Sequence, residues 1–193
     1  MPGADMFADC RVVAMRVTRH AYAVEGWGVG ELWAGDSRIV LAHDAPTKRS
    51  TAPPTTPRGT PGVPTETLSR AGSRVGRGFV PELLQRIHSY YRGERIDFAD
   101  VVLDLEWCTP FQADVAHTLR AVPWGEVVSY GELASLAGYP RAHRAVGTFC
   151  AGNRFSLFVP CHRVVAADGI GSYGSLGVSY KRRLLRLEGH HAL

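Results

Sequence analysis

A thiol and an imidazole adjoin at Cys161-His162, inside the stretch Val159-Pro160-Cys161-His162-Arg163-Val164-Val165. A cysteine titrates near ~8.5 when unperturbed, so at neutral pH most of it is the weakly nucleophilic thiol. An imidazole that takes its proton leaves a thiolate, the form required for covalent chemistry at sulfur. Adjacent residues of a regular strand point to opposite faces. Cys161 and His162 can therefore cooperate only if the chain turns here or a water joins them. The apolar run Phe155–Val159 predicts a short buried strand. Pro160, with no amide to offer a sheet ladder, predicts its end. The competing reading is an inert core thiol, the commonest state of a free cysteine. A third group bears on the choice. Glu188 falls at the C-terminal end of the last predicted helix, where the helix dipole disfavours a carboxylate by roughly 0.3–1 kcal/mol. Such a charge is either solvated at the surface or held by a partner, and His162 is the candidate partner.

The elements that must position these groups follow from periodicity and turn chemistry. Residues 10–44 read as strands: Arg11–Val17 is one, and Gly30–Ala42 is a hairpin turning at Gly35-Asp36-Ser37. Phe79–Arg92 reads as a helix with Leu83, Leu84, Ile87 and Tyr91 on one face and Gly93 as its stop. Val101–Leu105 reads as another strand. From Thr109 the pattern turns mainly helical, with Phe111, Val115, Leu119 and Val122 on one face. Ser129-Tyr130-Gly131-Glu132 predicts a capping box opening a helix that buries Leu133, Leu136 and Ala137. A helix over about 140–150 then packs Ala145, Val146, Phe149 and Cys150 inward and leaves Arg141, Arg144 and Thr148 outside. Two short helices around the turn at Gly138, the second with an arginine face, predict a helix-turn-helix. Four glycines within residues 169–177 predict a loop whose bare backbone can approach a ligand, and the last helix, about 178–188, turns Tyr180, Leu184 and Leu187 inward.

Composition narrows the function classes. The chain has 193 residues, 45% of them hydrophobic, yet no apolar run long enough to span a bilayer and no basic-then-apolar leader. Cys10, Cys108, Cys150 and Cys161 form no CxxC pair, which predicts free thiols in a reducing cytoplasm and gives no metal-ligand pattern. Residues 45–78 carry six basic residues against one acidic, together with six of the twelve prolines, and residues 109–193 carry nine basic against five acidic. The first segment is too poor in aliphatic residues to offset its ordering entropy and is expected to be a disordered insertion. The basic excess of the second is the electrostatic footprint of a nucleic-acid partner. The division expected is a small α/β domain over 1–107, with the 45–78 insertion, and a DNA-binding and catalytic domain over 108–193.

From about Phe79 to Gly189 the chain resembles the O6-alkylguanine-DNA alkyltransferases. The likeness is carried by Thr109-Pro110-Phe111-Gln112, Ser129-Tyr130, Arg144-Ala145-Val146-Gly147, Gly152-Asn153, Pro160 to Val165 and Leu187-Glu188-Gly189. The resemblance implies an α/β protein: an N-terminal ribonuclease H-like domain, then a mainly helical winged helix-turn-helix domain. It implies irreversible transfer of an alkyl group from O6-alkylguanine, or O4-alkylthymine, in double-stranded DNA to the protein itself. Cys161 is then the acceptor, His162 takes its proton through a water, and Glu188 orients His162. Tyr130 donates to the departing base, Asn153 braces the turn carrying Cys161, and the Val164 carbonyl meets the guanine amino group. Tyr173 and Gly174 wall the pocket. The target base is flipped out of the duplex, Arg144 fills its place, and Arg141 joins it on a helix presented to the minor groove. No cofactor is implied; some members hold a structural zinc in the N-terminal domain, but its ligands find no match in this sequence and no metal is expected. A monomer in the cytoplasm, or at the nucleoid of a bacterium, is expected. The lid Gly174-Ser175-Leu176-Gly177 departs from the simpler glycine pair of many members and leaves the tolerance for bulky alkyl groups open. The rival functions are a lesion sensor without chemistry, which would lack the acceptor cysteine, and a helix-turn-helix transcription regulator, which would leave Cys161, His162 and Glu188 without a task.

Overall fold

The structure is a computed structural model, and it describes residues 16–35, 38–48 and 78–192. Of the predicted strand at Arg11–Val17 only Arg16 and Val17 are described. Nearly all of the 45–78 insertion lies outside the described residues, but its first residues, Ala45 to Thr47, complete a strand rather than joining a disordered segment.

Strands β1 (Val17–Val24), β2 (Gly28–Gly35), β3 (Ile39–Thr47) and β4 (Val102–Leu103) form one sheet in that order, antiparallel except for the parallel β3–β4 pair. Period-two burial is plain in β2, where Gly30, Leu32 and Ala34 face the core. Gly30 is obligatory, since a Cβ there would lie 2.6 Å from the Tyr22 ring and 2.7 Å from the Asp44 carbonyl oxygen. The sequence reading assigned residues 10–44 to strands without bounding β1, and it gave β4 five residues instead of two. Strand-like alternation in Val17–Val24 is broken by Arg19 and His20, which stay half-buried on the sheet.

Helix α1 (Phe79–Tyr91) packs Leu83, Ile87, Tyr90 and Tyr91 inward and ends before Gly93, whose φ of 88° suits glycine. Helix α2 (Pro110–Arg120) opens with a capping box, Thr109 accepting from the Gln112 amide while Gln112 accepts from the Thr109 amide. It closes with Arg120, whose Nη2 donates to the carbonyls of Phe98, Ala99 and Val101 and so ties α2 to the segment before β4. The predicted capping box at Ser129 and Glu132 is present at the start of α3 (Tyr130–Leu136).

Two burial assignments need correction. Leu136 is 68% exposed, because α3 is only seven residues long and its inward face is Leu133 and Ala134. Ala145 is exposed beside Arg144, whereas Val146 and Phe149 carry the buried stripe of α4 (His143–Ala151). Tyr180 and Leu187 pack against the core as predicted, partly buried, and the fully buried face of α5 (Gly177–Leu187) is Lys181, Leu184 and Leu185. Helix α4 also starts three residues later than predicted, so Arg141 lies in the α3–α4 turn with a φ of 78°, an uncommon conformation for a residue with a Cβ.

The predicted strand Phe155–Val159 is absent. Phe155 makes a single bridge to His43, and the run then folds back so that the Val159 amide donates to the Phe155 carbonyl at 2.8 Å. Asn153 enforces the fold-back: its Oδ1 accepts from the Phe155 amide at 2.9 Å and its Nδ2 donates to the Val159 carbonyl at 2.8 Å. After it come a 3₁₀ turn (Cys161–Arg163) and β6 (Val164–Val165), parallel to β5 (Val128–Ser129). Phe98, from the segment before β4, meets Phe158 edge to face at 5.2 Å, and His43 from β3 meets the same ring at 5.1 Å, so the sheet packs directly against the loop that carries the thiol.

Candidate active site

The chain turns at the point where cooperation of Cys161 and His162 requires it. In the 3₁₀ turn both are buried, at 6% and 0% exposure. Cys161 Sγ accepts a hydrogen bond from Asn153 Nδ2 at 3.1 Å, from the same amide that closes the 153–159 loop. The Tyr173 hydroxyl is buried close by without a hydrogen bond of normal geometry. Burial pushes the Cys161 thiol up; Asn153, Tyr173 and the Lys181 ammonium favour the thiolate against it.

His162 Nε2 lies 2.9 Å from Glu188 Oε1, both side chains being wholly out of solvent. Glu188 is therefore no surface charge. It caps α5 and turns inward at the predicted partner. Arg163 Nε and Nη2 grip its two oxygens at 2.9 Å each, and the Tyr90 hydroxyl donates to Oε1 at 2.6 Å. Burial alone would raise this carboxyl, but the hydrogen bonds from His162 and Arg163 and the Arg163 charge outweigh it and hold Glu188 well below the usual carboxylate range. His162 is pulled down by burial, against the support of Glu188, so its resting imidazole is neutral. Both neighbours of Nε2, the ionised carboxylate and a phenol whose proton points to that carboxylate, are acceptors. That places the imidazole proton on Nε2 and the lone pair on Nδ1, which is buried and has no protein partner among the described residues.

The remaining predicted residues gather around this relay. Tyr130 opens α3, half-buried, with a phenol raised by burial and sensitive to the charges of Cys150 and Cys161. Val164 is buried and its carbonyl accepts from Lys181 Nζ at 2.5 Å. Tyr173 and Gly174 line a cavity of about 60 Å³ at Cys161, with Cys150, Ala151, Asn153, Ser156, Ser175 and Leu176. Arg144 is exposed on the outer side of α4, and Arg141 is exposed in the turn before it.

Three functional side chains escaped the sequence reading. Lys181 was placed on no face, yet its ammonium is fully buried, bonded to the carbonyls of Val164 and Ser172 and 6.0 Å from the Tyr130 ring. Burial draws it down to about 8, against the thiols of Cys161 and Cys150. Arg163 stands in the quoted motif and could have been suspected from its adjacency to His162. Tyr90 had no local signal, since its partner lies 98 residues away. Among the described residues no cluster of His, Cys, Asp and Glu could hold a metal ion.

The arrangement is a buried thiol beside a small cavity, a neutral imidazole with a free lone pair, and a carboxylate fixed from three sides. Residues 110–190 match the family model for the DNA-binding domain of 6-O-methylguanine DNA methyltransferase. The chain is 43% identical over 107 residues to the methylated-DNA–protein-cysteine methyltransferase of Metallosphaera sedula, covering 55% of this chain and 66% of that protein. It is 40% identical over 126 residues to the enzyme of the same name from Methanopyrus kandleri, covering 64% of this chain and 92% of that one. The solved structure of Mycobacterium tuberculosis OGT in complex with DNA superposes with a TM-score of 0.65 at 32% identity, covering 88% of this chain and 92% of that one. With identity well above a fold-only likeness and nearly the whole length of two such proteins covered, the chain belongs to the methylated-DNA–protein-cysteine methyltransferase family.

Proposed function

We propose that this protein repairs DNA directly, moving the methyl or larger alkyl group of O6-alkylguanine onto Cys161 in a single irreversible turnover. The observation that carries the reading is the relay itself: a buried thiol next to an imidazole whose Nε2 is locked to Glu188 and whose Nδ1 is free. In the reaction the Cys161 proton passes, through a water, to His162 Nδ1. The thiolate attacks the alkyl carbon in line, the new C–S bond replaces the C–O6 bond, and the electron pair leaves with guanine. Glu188 supports the imidazolium that forms, while Arg163 keeps the carboxylate aimed and ionised. Tyr130 donates to the departing base, stabilising charge that exists only after the bond begins to break. Asn153 holds Sγ in place, and the Val164 carbonyl retains a lone pair for the guanine amino group. The displacement balances without a cofactor, and the bond formed is a thioether that nothing in the relay can cleave.

DNA is the partner. The fold is α/β, and the finer reading assigns residues 1–107 to a ribonuclease H-like domain and 108–193 to a winged helix-turn-helix domain. Helices α3 and α4 then enter the minor groove, the alkylated base is flipped toward Cys161, Arg144 takes its place in the stack, and Arg141 reaches a phosphate. The exposure of Arg144 and Arg141, and the uncommon backbone of Arg141, support this orientation. The reading also takes the protein as a monomer.

The test is intact-protein mass spectrometry after incubation with a duplex containing O6-methylguanine. One methyl per active molecule, located on the Cys161 peptide and absent in Cys161→Ala, is expected. Turnover beyond one equivalent, or methylation elsewhere, would overturn the proposal.

A further inference from the structure

The cavity at Cys161 has a second thiol in its wall. Cys150, on the last turn of α4, lines the same space of about 60 Å³, and alkyl transfer gives it no task. Both cysteines are tied to one residue. The Asn153 amide donates to the Cys150 carbonyl at 3.3 Å, and the Asn153 side chain donates to Cys161 Sγ at 3.1 Å. The Cys150 thiol also feels the charge of Cys161. Cys108, the other free cysteine among the described residues, takes no part in this cavity.

The two thiols are chemically unequal. Burial raises both, but at Cys161 the hydrogen bonds of Asn153 and Tyr173 and the Lys181 ammonium favour the thiolate. At Cys150 burial and the charge of Cys161 push the thiol far up, and only Lys181 opposes them. Cys150 therefore stays protonated and does not compete for an electrophilic carbon. It is nonetheless the sulfur placed beside Cys161 when Cys161 itself becomes the electrophile, as it does on oxidation.

We infer that Cys150 is a resolving cysteine: hydrogen peroxide oxidises Cys161, and Cys150 then closes a reversible Cys150–Cys161 disulfide that spares the acceptor from irreversible oxidation. The cavity has room for a molecule as small as peroxide. In the first step Cys161 sulfur attacks one peroxide oxygen, an S–O bond forms and the O–O bond breaks. The Cys161 proton, taken by His162 Nδ1 as in alkyl transfer, leaves with the departing hydroxide as water. Cys161 is now a sulfenic acid, oxidised at the expense of the peroxide. In the second step Cys150 sulfur attacks Cys161 sulfur, the S–S bond replaces the S–O bond, and the Cys150 proton leaves with hydroxide as a second water. Without Cys150, further peroxide carries the sulfenic acid to a sulfinic acid, which thiol reductants do not reverse. In a reducing compartment the disulfide is transient and the acceptor thiol is returned. The bridge does not depend on alkyl transfer; its value as protection rests on Cys161 being the alkyl acceptor, since a thiol used only once cannot be spent on peroxide without losing the whole molecule.

Peptide mapping of the full chain after peroxide treatment and capping of remaining thiols tests this. Arg154 stands between the two cysteines, so trypsin puts them on separate peptides, 145–154 and 155–163. The expected product is these two peptides joined, lighter than their sum by the two hydrogens lost, and separated again by dithiothreitol. Methyl transfer from O6-methylguanine should be lost in step with the joined peptide and return to within about twofold of the untreated rate after dithiothreitol. Cys150→Ser, compared with its own untreated rate, should recover about tenfold less, with sulfinic acid on the 155–163 peptide. Sulfinic acid at Cys161 of the unaltered protein without the joined peptide, Cys161 joined instead to Cys10 or Cys108, or equal recovery in the variant would overturn the resolving role. Absence of methyl transfer in the untreated protein would overturn the alkyl-acceptor reading alone, and the joined peptide would still establish the bridge.

Discussion

Glu188 is fixed by four neighbouring residues, yet its consequence for chemistry runs through one, His162. Glu188→Gln keeps the shape but removes the charge that supports a protonated imidazole. Transfer should slow by about 100-fold or more, in the range typical of a lost acid–base partner. The rate should also rise with pH at a higher midpoint, because the thiolate then has to form without imidazolium support. A stopped-flow pH profile of alkylation checks both. Lys181 acts on the same thiol from the other side. Its charge favours the thiolate, so Lys181→Met should move the midpoint of Cys161 reaction with iodoacetamide to higher pH. An unmoved midpoint would leave Lys181 as a tie between the Val164 and Ser172 carbonyls. Cys161, His162 and Glu188 were legible because an adjacent thiol and imidazole and a misplaced helix-end carboxylate are each odd in their local setting. Lys181 and Tyr90 are ordinary members of amphipathic helices, and only tertiary packing makes them part of the site.

At the level of elements, helix α4 is built to be read from outside. Its buried face is Val146 and Phe149, so Arg144→Ala opens no core. It should slow repair of a duplex while leaving attack on a free alkylated guanine unchanged, because only the duplex has to keep a base out of its stack at a cost of a few kcal/mol. Equal slowing of both substrates in single-turnover assays would return Arg144 to a structural role. Helix caps and faces were predictable wherever the pattern was long or the capping chemistry explicit, as at Ser129, whereas the equivalent box at Thr109 and Gln112 was not read. The 155–159 run was misread because an all-apolar segment has no period. Its geometry is decided by the Asn153 side chain, which bonds to both its ends. Leu136 was misread because seven residues give a face too short to establish which apolar side chain is turned outward.

Across the whole molecule, buried ionisable groups make the fold sensitive to acid. His43 lies on β3 at 1% exposure, bonded to Tyr22 and Ser156, and burial pulls it from 6.5 to about 3. His162 and Glu188 are likewise lower in the folded protein than when free. Groups with depressed values contribute stability that is complete above their unfolded values and lost as pH falls through the folded ones. Thermal unfolding should therefore move to lower temperature as pH drops from 6.5 toward 3. His43→Gln, which cannot take up a proton, should flatten part of that slope. Binding to DNA should weaken with salt. Arg141→Ala should reduce the slope of log affinity against log salt by about one, the signature of a single lost phosphate contact.

The phenol of Tyr90 bears on portability. The span that matches the DNA-binding family model begins at residue 110, and a fragment starting at Asp104 would retain α2 to α5, the thiol, the imidazole and the carboxylate. It would lack α1, and with it the hydroxyl 2.6 Å from Glu188 and the aromatic cover that Tyr90 shares with Trp124. Water would hydrate the exposed carboxylate oxygen and compete for the imidazole. Such a fragment would engage damaged duplexes while reacting slowly, and so behave as a decoy that shields lesions from the intact protein. Adding it to a repair assay should inhibit, and restoring Tyr90 by supplying residues from Gly78 onward should convert the inhibitor back into a repair protein.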